Sequence, residues 1–93
     1  MSFVIRAEHP VASFEAWRAR FDSDPLGREA NGVLRYRVMR GADDPQYALI
    51  DLEFAQRAEA DAFLARLQEL WKSVDVMHDP KAQIAEIVDR GEY

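Results

Sequence analysis

Large apolar residues alternate with polar ones through two runs of this chain, Val33 to Arg40 and Tyr47 to Phe54, separated by Gly41-Ala42-Asp43-Asp44-Pro45-Gln46. Side chains leave a strand on alternate faces, so the two runs predict a β-hairpin. If Val38 pairs with Ile50, then Tyr36 meets Leu52, Leu34 meets Phe54, Arg37 meets Asp51 and Arg35 meets Glu53. This register puts Leu34, Tyr36 and Val38 on the buried face and opposite charges together on the other. A slip by one residue would set Tyr36 against Asp51, so the pattern itself selects the register. Aspartate favours turns through local hydrogen bonds, which makes Asp43 and Asp44 turn formers rather than a catalytic carboxylate pair.

The same periodicities place the remaining elements. Phe3 to Glu8 alternates as a first strand, and His9-Pro10 is expected to stop it, since proline cannot donate to a ladder. Ser13 is a good helix N-cap, and Phe14, Trp17 and Phe21 recur at i, i+3 and i+7, predicting a helix from Phe14 to about Asp22. A further helical turn is expected at Leu26 to Ala30. From Arg57 to Ser73, Ala60, Phe63, Leu64, Leu67, Leu70 and Trp71 form one apolar face, extended by Val74. After His78-Asp79-Pro80, Lys81 to Val88 reads as a last strand. The order βαββαβ predicts an α+β, ferredoxin-like fold in which two helices cover one face of a four-stranded antiparallel sheet.

Composition narrows the functional classes. The 93 residues form one domain, 1–93, and suffice for a modest core. A net charge of -5 argues against a nucleic-acid partner, and no apolar run is long enough to span a membrane or serve as a signal peptide. The chain has no cysteine, which favours a cytoplasmic setting. With two histidines and no Glu-x-x-His or His-x-x-x-His spacing, no metal site is expected. No Gly-x-Ser-x-Gly, phosphate loop or dinucleotide fingerprint occurs.

One face of the predicted sheet has no helix over it. Val4, Arg6, Glu8, Arg35, Arg37, Met39, Leu49, Asp51 and Glu53 fall there, apolar residues among charges that nearly cancel. An ordinary solvated face fits this pattern. So does a homodimer through the open sheet face, because a two-fold interface must complement itself.

His9-Pro10-Val11-Ala12-Ser13-Phe14-Glu15-Ala16-Trp17-Arg18, with Phe21-Asp22, resembles the strand-to-helix entry of small dimeric α+β barrel proteins related to the antibiotic biosynthesis monooxygenases. In those proteins an aromatic residue, a small or acidic pair and a tryptophan open the first helix. The turn Gly41 to Pro45, the strand Tyr47 to Phe54 and the aromatic-rich second helix are similar as well. The resemblance implies the dimeric α+β barrel and homodimerisation more strongly than a reaction, because relatives include monooxygenases without a cofactor, haem-degrading enzymes, isomerases and proteins of unassigned function. The haem-degrading branch carries an asparagine on its first strand; this strand has Arg6, and Asn31 lies in a turn.

Two functions are therefore carried forward. One is a cofactor-independent monooxygenase acting on an aromatic or polyketide-like small molecule; the other is a non-catalytic dimeric ligand-binding or interaction module. For a ligand site the expectation is Tyr36 and His78 as catalytic residues, Tyr36 lining the pocket and His78 at its mouth. Trp17 or Trp71 would form an aromatic wall, and Arg6 or Arg40 would stabilise negative charge on the substrate. Against this stands a phenol that reaches solvent at the sheet edge and tryptophans that only fill core. His9, directly before proline at a strand end, reads as a histidine without a ligand.

Overall fold

The computed structural model describes residues 1–73 and 80–93. Its elements run β1 (Ser2–Pro10), α1 (Phe14–Ser23), a 3-10 turn (Glu29–Asn31), β2 (Val33–Arg40), β3 (Tyr47–Phe54), α2 (Arg57–Lys72) and β4 (Lys81–Ile87). The strands form one antiparallel sheet in the order β2-β3-β1-β4. Both helices lie on the face that presents Ile5, Ala7, Ile50, Leu52 and Phe54, and Trp17, Ala60, Phe63 and Leu67 from the helices join them in the core. This is the ferredoxin-like βαββαβ arrangement.

The hairpin keeps the predicted register over most of its length, with Arg35 opposite Glu53, Tyr36 opposite Leu52, Arg37 opposite Asp51 and Val38 opposite Ile50. Its far end departs from expectation. An irregularity between Val33 and Arg35 sets Val33, not Leu34, opposite Phe54. A bulge inserts one extra residue and reverses the facing of everything beyond it. Val33 is accordingly buried, while Leu34 is 54% exposed.

β1 also runs further than predicted, with His9 paired to Ala48 and Pro10 to Tyr47. The reason is the length of β4, whose last pairing is Lys81 with Glu8. Among the described residues the strand beyond Glu8 has a partner on one side only, so a residue without an N–H costs the sheet nothing there.

Side chains fix the connections. Ser13 Oγ accepts from the Ala16 N–H at 3.2 Å and Gln46 Oε1 from the Phe14 N–H at 2.8 Å, which satisfies two orphan donors at the start of α1. Asp44 bonds the Gln46 N–H within the hairpin turn at 3.1 Å, as a turn-forming aspartate does. Asn31 donates to the Leu26 and Gly27 carbonyls and accepts from Arg66, tying the connection after α1 to α2. Gly32 follows at φ 100°, where a side chain would be strained and its Cβ would lie 2.5 Å from Glu59 Oε2.

Candidate functional site

A cavity of about 180 Å3 opens between the helices and the sheet. Its floor is His9, Ile50 and Leu52; Trp17 and Phe21 of α1 form one wall, and Phe63, Leu67 and Trp71 of α2 the other. Polar groups gather at one rim, where Arg20, Ser23, Asp24 and Arg28 line it. The walls follow from helical spacing. Phe14, Trp17 and Phe21 stack in sequence along α1 with ring centroids 5.5 and 5.6 Å apart, and the opposing helix turns its own apolar stripe inward.

His9 reaches the floor because it shares strand parity with Ile5 and Ala7. It is only 3% exposed. Its ring meets Trp17 edge-on at 5.9 Å and lies 6.5 Å from Trp71, and its Nδ1 is 3.3 Å from the Pro10 carbonyl oxygen. A carbonyl can only accept, so in the neutral ring the proton sits on Nδ1 and Nε2 carries the lone pair. Among the described residues Nε2 has no hydrogen-bond partner, and no enclosed side-chain nitrogen or oxygen is left unpaired, so Nε2 is not sealed in protein. Burial lowers the His9 pKa, and the bond to the Pro10 carbonyl opposes that shift.

The rim is held by Asp24, whose left-handed backbone (φ 52°) closes α1. Its Oδ1 accepts from the Arg28 N–H at 2.9 Å. Arg28 returns over the helix end: Nη1 donates to the Phe21 carbonyl at 2.6 Å, and the guanidinium stands 3.8 Å from the Phe21 ring centroid and 5.0 Å from that of Tyr36.

Of the residues expected from sequence, the structure brings Trp17 and Trp71 together with the cavity. Tyr36 does not line it. Its ring packs edge-on against Phe21 of α1 at 5.3 Å but stays 47% exposed, because β2 is an edge strand of the sheet. Arg6 lies on the opposite face of the sheet, and Arg40 stands over the ring of Phe14 at 5.3 Å. His78 lies outside the described residues. His9 and Arg28, which sequence reading did not place in a site, are part of the lining.

On the open face two carboxylates are enclosed by arginines. Asp51 is 6% exposed and accepts from Arg6 Nε and Nη2 at 2.8 and 2.9 Å and from Arg37 Nη2 at 2.6 Å. The Arg6 bonds, and then those of Arg37, hold its carboxyl below the usual carboxylate range against the opposing effect of burial. Glu53 is paired with Arg35 and Arg90, and Tyr47 donates to Glu8 at 2.7 Å. Among the described residues no group of three or more His, Asp or Glu side chains is placed to hold a metal ion, and no helix is long and apolar enough to cross a membrane.

No family model and no curated protein matches the chain in sequence. Solved structures do match in fold. A Nitrosomonas europaea protein of unknown function aligns with a TM-score of 0.75 at 12% identity, covering 99% of this chain and 94% of that one. A provisionally assigned antibiotic biosynthesis monooxygenase from Nitrosomonas europaea aligns at 0.65 and 20% identity, covering 94% and 90%. A dimeric ferredoxin-like protein from an uncultured marine organism aligns at 0.68 and 13% identity, covering 97% and 98%. At such identities the shared property is the fold, and it is the fold that the sequence resemblance implied.

Proposed function

We propose that this protein is a small-molecule enzyme of the cytoplasm, a homodimer through its open sheet face, that oxidises an aromatic substrate with dioxygen and no resident cofactor. The observation that carries this reading is the aromatic-walled cavity between sheet and helices with a histidine in its floor. Such a concave, mostly apolar site with few polar groups is where a small ligand binds. The similarity in fold to a provisionally assigned monooxygenase adds the reaction class.

Written as a balanced step, a phenol gives up four electrons to dioxygen. One oxygen atom enters the ring as a second carbonyl, giving a quinone, and the other leaves as water with two hydrogens from the substrate. The walls would orient the ring and exclude water. Oxygen consumption by the purified protein with 1-naphthol tests the reading: it predicts quinone absorbance in step with oxygen uptake, and incorporation of one atom from labelled dioxygen. Saturable binding of phenols without any oxygen uptake would instead favour a non-catalytic ligand-binding module.

A further inference from the structure

We propose that His9 is the group that recognises the ligand, accepting through Nε2 a hydrogen bond from the hydroxyl of a one- or two-ring phenol, and that in turnover it takes that proton. The inference deepens the functional reading above and rests on it only for the turnover step.

Size, polarity and hydrogen-bond accounting lead to the same ligand. An apolar cavity of about 150 Å3 holds a benzene ring, so the roughly 180 Å3 here suits one ring with substituents or two compact rings. The walls are aromatic faces and edges, which favour an aromatic guest through offset and edge-on contacts. Among the described residues of the floor, His9 Nε2 is a polar atom without a hydrogen-bond partner, and it is an acceptor, since Nδ1 holds the proton toward the Pro10 carbonyl. An acceptor calls for a donor, and a hydroxyl on an aromatic ring provides one while leaving the rest of the guest apolar. A methyl group in its place would leave Nε2 desolvated and unpaired.

The histidine is also in the right state for the second role. Burial disfavours its charged form, so the ring is neutral at neutral pH and keeps the Nε2 lone pair that accepts. A phenol holds its proton near pH 10, so binding alone leaves the proton on oxygen; transfer accompanies the loss of electrons from the ring. The bond that breaks is O–H and the bond that forms is Nε2–H, leaving an imidazolium beside the oxidised ring. Among the described residues, the charged groups that share the cavity are Arg20, Asp24 and Arg28, all at the rim, whereas the lining residues of α2 and β3 are apolar.

The test uses p-cresol and p-xylene, which differ by a hydroxyl in place of a methyl group, titrated into the full-length protein by calorimetry and by quenching of the tryptophans. The wild type should bind p-cresol about tenfold or more tighter than p-xylene, His9→Leu should abolish or reverse that preference, and the preference should fade as pH is lowered below 6.5, the ordinary value for histidine. Nitrogen NMR of the wild type avoids any dependence on the variant's folding: p-cresol should shift the His9 Nε2 resonance and p-xylene should not. An Nε2 signal unmoved by saturating p-cresol, a preference unchanged in His9→Leu, or no p-cresol binding at all would overturn the proposal. The two readings fail separately. Hydroxyl-dependent binding with no oxygen uptake from 1-naphthol removes the monooxygenase and leaves His9 as the reader of the ligand, whereas oxygen uptake that His9→Leu leaves intact removes His9 and leaves the enzyme.

Discussion

Arg37 stands directly across the ladder from Asp51 and donates to its Oδ2 at 2.6 Å, while Arg6, from the strand on the other side, grips the same carboxylate with two bonds. The three contacts are unequal. Removing Arg37 leaves Asp51 paired, and Arg37 is largely exposed, so Arg37→Ala should cost about 0.2–1 kcal/mol. Arg6→Ala takes away two charge-assisted bonds from a buried acceptor and should cost more, about 1.5–3 kcal/mol. Urea unfolding of both variants, with the slope unchanged, checks the order; an Arg37 variant that loses more than the Arg6 variant would contradict this account.

Val33 and Leu34 form the sharpest contrast between sequence and structure. Val33→Ala should destabilise by about 1–3 kcal/mol, because its side chain is buried opposite Phe54. Leu34→Ala should stay within about 0.5 kcal/mol of wild type, as an exposed surface change does. Thermal or urea midpoints decide between this and the uninterrupted register, which would give the opposite ranking.

Alternation told most of the fold because a sheet with one covered face enforces it: Arg35 with Glu53 and Arg37 with Asp51 are where the pattern puts them. Alternation cannot announce a bulge, since an inserted residue leaves composition intact and changes only phase. The site was harder to read. Trp17 and Trp71 belong to helical stripes and were visible, but a stripe does not say whether it fills a core or lines a cavity. His9 carried a signal, its parity with Ile5 and Ala7, that the following proline overrode. Arg28 and Asp24 sit in a connection with no period at all, held by bonds such as Arg28 to the Phe21 carbonyl, and no local pattern encodes those. Tyr36 faces the side expected and meets Phe21 of α1, yet on an edge strand it stays half-exposed and outside the cavity lining.

Acid should weaken the fold in two separate windows. The His9 pKa is lowered on folding, so the unfolded chain binds a proton that the folded chain refuses, and stability falls as pH drops below 6.5 toward the folded value. Asp51 has an ordinary value of 3.8 and a lower one when folded, so its contribution is present above 3.8 and is lost as pH falls below it. His9→Leu should flatten the upper window and leave the lower one; Asp51→Asn should do the reverse. Thermal midpoints across pH test this, and an upper-window loss that persists in His9→Leu would refute the assignment.

The open sheet face is the last test, because its charge predicts how two copies would associate. Among the described residues, the strands place Arg6, Arg35, Arg37 and Lys81 on it with the carboxylates of Glu8, Asp51 and Glu53, and Arg90 reaches Glu53 there as well. Asp51 and Glu53 are already enclosed by their own arginines, which leaves few free anions to meet a partner's cations. Apolar contact through the half-buried Val4, Met39 and Leu49 must then drive association against a net positive face on each copy. Salt screens that repulsion, so the dimer should tighten as ionic strength rises, whereas an interface built on ion pairs between copies would loosen. Leu49→Lys adds charge and removes apolar area, and it should shift the equilibrium to monomer with the circular dichroism spectrum unchanged. Light scattering at tens of micromolar, in low and high salt, reads both effects. A monomer under all conditions, or a dimer indifferent to Leu49→Lys, would exclude this face as the interface.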